Sequence, residues 1–142
     1  SADKTIRLWD KSENPITQLR GHQGDIQAIA ISPDGQYIIS GSRDRTVRLW
    51  DRRGNAIARP FQGHEDDIHS VAMSPDGQYI VSSSADGTIR LWDKQGHAIA
   101  RPFIGHEGAV YSIAISPDGQ QIISGGNDKT IRLWDLKGNP IG

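Results

Sequence analysis

Thr46-Val47-Arg48-Leu49-Trp50-Asp51 is a β-branched and aromatic run with the make-up of a short strand, and it recurs along the chain. Trp-Asp pairs stand at Trp9-Asp10, Trp50-Asp51, Trp92-Asp93 and Trp134-Asp135, spaced by 41, 42 and 42 residues, and Gly-His pairs stand at 21–22, 63–64 and 105–106. The turn Ser32-Pro33-Asp34-Gly35 returns at 74–77 and 116–119. Residues 21–62 and 63–104 are identical at 27 of 42 positions, so the chain is one unit repeated.

Within one unit, Ile26 to Ile31 reads as an apolar strand closed by Ser-Pro-Asp-Gly, where proline presets φ and glycine accepts positive φ. Gln36 to Ser40 reads as a second strand, Arg43-Asp44-Arg45 as a turn and Thr46 to Trp50 as a third strand. Gly54-Asn55 turns the chain again into a fourth strand from Ala56 to Phe61. No stretch sustains a 3.6-residue apolar period. Such an antiparallel meander cannot cover its own two faces and must stack on copies of itself.

The composition excludes several classes of function. The 142 residues include no cysteine, which removes disulfides, thiolate catalysis and cysteine-ligated metals. A net charge of −1 gives no general attraction to nucleic acid or anionic membranes. No apolar run approaches the ~20 residues that span a bilayer, and the polar start Ser1-Ala2-Asp3-Lys4 does not read as a signal peptide. A soluble, cytoplasmic protein without cofactor or metal is the expectation.

Gly-His, the 41- or 42-residue period, Ser-Pro-Asp-Gly and Asp-x-Thr-(Ile/Val)-Arg-Leu-Trp-Asp together resemble the WD-repeat β-propeller family, over essentially the whole chain. The resemblance implies an all-β propeller of four-stranded antiparallel blades, with strands a to d running from the channel outward. About three and a half blades are present, as a partial blade over 1–20 and repeats over 21–62, 63–104 and 105–142. The family's usual role is a non-catalytic platform for other proteins.

Each full repeat carries His, Ser, Asp and Trp at fixed offsets: His22, Ser40, Asp44 and Trp50; His64, Ser82, Asp86 and Trp92; His106, Ser124, Asp128 and Trp134. A hydrolytic triad has no reason to occur three times with a tryptophan each time. The resemblance implies instead a structural hydrogen-bond chain from Trp to Ser to His to Asp. The strand-c arginines Arg7, Arg48, Arg90 and Arg132 are expected to pack their stems and pair with a neighbouring Asp. His69 and His97 lack the further ligands that a metal needs.

Differences between repeats cluster in turns. The loop after Gly-His holds Gln23 and Asp25, then Glu65, Asp66 and Asp67, then Glu107, while the b–c turn holds Arg43, Ala85 and Asn127. Early strand a holds Gln27, His69 and Tyr111. These residues are the candidate binding face for an unknown protein partner. Net charges of +1, +2, −3 and −1 over 1–20, 21–62, 63–104 and 105–142 make the two middle repeats differ by five units. Three repeats fall short of the four to eight blades of a closed ring, so a homo-dimeric or homo-trimeric ring is expected.

Overall fold

A computed structural model describes residues 5–9, 15–20, 26–51, 53, 55–57, 61–62, 64, 66–99, 103–104 and 108–141. Among the described residues thirteen strands form four antiparallel sheets in chain order, and no helix occurs. Sheet 1 pairs β1 (Thr5–Trp9) with β2 (Pro15–Arg20). Sheet 2 runs in sequence order through β3 (Ile26–Ile31), β4 (Tyr37–Ser42), β5 (Thr46–Asp51) and β6 (Phe61–Gln62). Sheet 3 repeats this with β7 (Ile68–Met73), β8 (Ile80–Ser84), β9 (Thr88–Trp92) and β10 (Phe103–Ile104). Sheet 4 holds β11 (Val110–Ile115), β12 (Gln121–Gly126) and β13 (Ile131–Asp135).

Two elements differ from the sequence reading. The second strand extends past Ser40 to Ser42, because Gly41 and Ser42 still pair with Ala28 and Ile26 across a bulge. The fourth strand is not continuous from Ala56 to Phe61: a single bridge joins Trp50 to Ala56, and the ladder resumes where Phe61 faces Val47.

The Ser-Pro-Asp-Gly turns are built alike. In the first, the Gly35 N–H donates to the Ser32 carbonyl, the Ser32 hydroxyl to the Asp34 carboxylate at 2.6 Å, and the Gln36 N–H to that same carboxylate. Gly35, Gly77 and Gly119 all sit at φ +73°, a conformation that glycine accepts without strain. The serine hydroxyls, followed by the backbone N–H donors, hold Asp34, Asp76 and Asp118 below the ordinary carboxylate pKa.

Apolar side chains fill the joints between sheets 2 and 3 and between sheets 3 and 4. Ile39, Val47, Leu49 and Phe61 of sheet 2 form one core with Ile68, Val71, Met73, Ile80 and Trp92 of sheet 3. Tyr79, Val81, Ile89, Leu91 and Phe103 of sheet 3 repeat the arrangement with Val110, Ile122 and Trp134 of sheet 4. Gly41 is required at this joint, since a Cβ there would lie 2.4 Å from Ile68 Cγ2. Each outer-strand phenylalanine reaches into the next sheet: Phe61 lies 5.6 Å from Trp92 and Phe103 5.5 Å from Trp134, ring centre to ring centre. Beneath them sit Gly96 and Gly138, where a Cβ would come within 2.7 Å of the phenylalanine ring.

Burial differs between equivalent positions of sheets 2 to 4. Val47 and Ile89 are 0% exposed, whereas Ile131, at the same repeat position in sheet 4, is 76% exposed. Val71 and Met73 are buried, whereas their counterparts Ile29 and Ile31 in sheet 2 are 52% and 63% exposed.

Two outcomes follow for stability. Phe61→Ala removes the ring that spans sheets 2 and 3 and is expected to lower unfolding free energy by about 3–5 kcal/mol in denaturant titration; a loss below about 1 kcal/mol would mean that the contact carries no weight. Because Asp34, Asp76 and Asp118 have folded pKa values below the unfolded one, the stability they add is present above about pH 4 and is lost as pH falls through the folded values. Thermal melting between pH 6 and 2.5 should show that loss, and Asp76→Asn should make it shallower.

Candidate functional site

In sheet 3 the four motif side chains meet in one chain of contacts. Trp92 Nε1 donates to Ser82 Oγ at 2.8 Å, Ser82 Oγ lies 2.7 Å from His64 Nε2, and His64 Nδ1 lies 3.1 Å from Asp86 Oδ2. A serine that accepts from an indole has its own proton to give to His64 Nε2, which leaves the Nδ1 proton for Asp86. Asp86 is fixed in turn by the Thr88 N–H and hydroxyl, which both donate to its Oδ1. The result ties the loop before β7 to β8, to β9 and to the turn between them.

Ser82, His64 and Asp86 have the connectivity of a hydrolytic triad, yet Ser82 is 0% exposed and its oxygen is engaged on both sides. A nucleophile needs an open approach. The same Trp-to-Ser bond recurs as Trp50 Nε1 to Ser40 Oγ at 2.9 Å and Trp134 Nε1 to Ser124 Oγ at 2.8 Å. Asp44 and Asp128 accept from the Thr46 and Thr130 N–H groups as Asp86 does from Thr88. His22 and His106 lie outside the described residues.

The variable residues gather at the same end of the sheets as Asp44, Asp86 and Asp128. Arg43, in the b–c turn of sheet 2, reaches Asp67 of the next sheet at 3.8 Å, both side chains partly exposed. The loop holding Asp66 and Asp67 is fastened by the Ser84 hydroxyl, which donates to both backbone carbonyls, and by the Ala85 N–H, which donates to the Asp67 carbonyl. The exposed Asn127 repeats this through its N–H to the Ala109 carbonyl. His69 and Tyr111 form an aromatic pair between sheets 3 and 4 at 5.1 Å. Both are the extra residue of a bulge: Ile68 pairs with Ser84 and Ser70 with Ser83, and Val110 with Gly126 and Ser112 with Gly125. A bulge re-aims the side chain it inserts. Gln23, Asp25, Glu65 and Glu107 lie outside the described residues.

One expectation needs correction. Among the described residues Arg48, Arg90 and Arg132 form no ion pair with an aspartate; each Nε is buried without a hydrogen-bond partner. They stand opposite Ser40, Ser82 and Ser124 on the tryptophan face, where the neighbouring aspartates are occupied in capping turns. Sequence reading missed the phenylalanine–glycine contacts between sheets, although Phe61, Phe103, Gly96 and Gly138 were visible at fixed repeat offsets.

A family model described as "WD domain, G-beta repeat" matches residues 13–51, 55–93 and 98–135. Ribosome assembly protein 4 of Saccharomyces cerevisiae is 48% identical over 44 residues, which is 30% of this chain and 8% of that protein. Nuclear distribution protein PAC1 of Yarrowia lipolytica is 40% identical over 28% of this chain and 9% of that protein. The guanine nucleotide-binding protein subunit beta of Dictyostelium discoideum is 42% identical over 30% of this chain and 12% of that protein. The chain thus matches about a tenth of the length of each.

Ser82→Ala and His64→Ala each leave a buried partner unsatisfied and are expected to lower stability by about 1–3 kcal/mol, read as a fall in melting temperature. Unchanged melting in both variants would rule out a stabilising network.

Proposed function

The chain belongs to the WD40 repeat family, and on that premise we propose that it is a non-catalytic β-propeller segment that binds protein partners and closes its ring with further copies of itself. The observation that carries the binding role is the contrast between a shared scaffold and unshared residues at one end. Arg43, Asp66, Asp67, Ala85 and Asn127 occupy loop and turn positions whose chemistry differs from repeat to repeat, and the backbone carbonyls of Asp66 and Asp67 and the N–H groups of Ala85 and Asn127 supply hydrogen bonds that hold these loops. Mixed charge beside the His69–Tyr111 ring pair suits a polar protein surface with an aromatic contact. The buried, doubly engaged Ser82 argues against hydrolysis.

Ring closure rests on the exposed end faces. Large apolar side chains at Ile29, Ile31 and Ile131 are exposed, whereas their counterparts Val71, Met73, Val47 and Ile89 between sheets 2 and 3 or 3 and 4 are buried and Ile113 and Ile115 are half-buried, and apolar faces of this kind associate. Four-stranded blades are the natural unit of that ring, since sheets 2 and 3 already carry four strands each.

The binding role is tested by comparing proteins captured by the natural chain with those captured by an Arg43→Ala, Asp67→Ala, Tyr111→Ala variant of equal melting temperature. Loss of the same captured proteins is the expected result, and identical sets from the two would overturn this face as the binding surface. Closure is tested by absolute mass in solution, for which a discrete small oligomer is expected and a folded monomer would refute it.

A further inference from the structure

The two joints that join sheets 2, 3 and 4 are cut from different side chains, although the turns and ladders around them are nearly the same. Sheet 2 offers its successor Ile39, Gly41 and Val47, and sheet 3 offers Val81, Ser83 and Ile89 at the same repeat positions. The receiving residues change as well: Ile68 and Val71 in sheet 3 correspond to Val110 and Ile113 in sheet 4. These changes are reciprocal. From Ile39 and Val47 to Val81 and Ile89, one methyl group moves from the second strand to the third and the total volume is kept. From Gly41 to Ser83 a side chain is gained, while from Ile68 to Val110 a methyl group is lost.

At the first joint position 41 has no room for a side chain, since a Cβ there would lie 2.4 Å from Ile68 Cγ2 and 3.1 Å from Val71 Cγ1. At the second joint Ser83 is 0% exposed, and its hydroxyl has no hydrogen-bond partner. A buried hydroxyl in that state costs stability, so what Ser83 supplies is bulk, on a face whose successor presents valine in place of isoleucine.

We infer that the joints carry a size code that fixes which sheet follows which: the face of sheet 2 accepts a successor with isoleucine at the position of Ile68, and the face of sheet 3 accepts one with valine there. Near-identical units need such a code, because like elements exchange at little cost, within a chain or between two copies. Discrimination requires a penalty on the wrong pairing. Sheet 4 on sheet 2 would set Val110 over Gly41 and leave the joint one methyl group short. Sheet 3 on the sheet 3 of a second copy would press Ile68 onto Ser83 and overfill it. The code acts inside the stack and does not depend on the proposed binding face.

Two double-mutant cycles in the 142-residue chain test this, each read as the folding equilibrium constant from denaturant titration. Gly41→Ser is expected to lower the constant by about tenfold or more. Adding Ile68→Val is expected to raise it again, although Ile68→Val alone removes a buried methyl group and lowers it. At the second joint Val110→Ile, which adds a single carbon, is expected to lower the constant, and adding Ser83→Gly to restore it, although Ser83→Gly alone lowers it. Rescue by the second substitution in both cycles is the result expected. Losses that simply multiply in either cycle would overturn the code. Ser83→Ala separates bulk from polarity: an unchanged constant is expected, whereas a loss of about tenfold would give the hydroxyl a bonding role and overturn the reading of Ser83 as filler.

Discussion

Everything in this fold depends on one constraint: a thin antiparallel sheet has two apolar faces and, with no helix among the described residues, can bury them only against another sheet of the same kind. The joint that satisfies it is directional. Gly41 admits Ile68, Phe61 lies over Gly96 and beside Trp92, and the Tyr79 hydroxyl donates to the Gly119 carbonyl of the next sheet at 2.7 Å. Each contact points from one sheet to its successor. Where both halves of the joint are present, Val47, Ile89, Val71 and Met73 are buried, whereas Ile29, Ile31 and Ile131 at the corresponding positions are exposed.

The polar chain from Trp92 to Asp86 serves the same constraint from a different direction. An indole large enough to fill the space between two sheets brings a donor that must be satisfied, and Ser82 lies across the ladder with its hydroxyl in reach. His64 then carries the connection out of the sheet to the loop, where Asp86 and Thr88 fix the turn. Packing and loop geometry are thereby coupled through a few atoms, and the chemistry resembles a catalytic triad only because serine, histidine and aspartate are the side chains that pass hydrogen bonds in series.

Much of this was legible in the sequence because a repeat presents each signal several times. The strand Ile26–Ile31 and the Ser-Pro-Asp-Gly turns were read correctly because proline, glycine and alternation act locally. The outer strand reads as continuous because Ala56 and Phe61 both pair, but they do so in different registers, and Gly41 reads as a strand end although it is the point of closest approach. Arginine pairing failed for a similar reason: Asp51, Asp93 and Asp135 are adjacent in sequence but turned to cap backbone N–H groups. At the candidate face the variable positions were visible, whereas the bulge that throws His69 against Tyr111 arises from a register shift that no residue type announces.

That register shift has a consequence for how such a protein can change. A residue inserted into a bulge belongs to no cross-strand pair, so its identity is decoupled from the ladder that carries it. Gln27, His69 and Tyr111 are three chemically unrelated side chains at one such position, on scaffolds otherwise nearly the same. Duplication of the unit therefore multiplies a place where mutation is uncoupled from the ladder, and each new copy adds one more such position at a step of 42 residues.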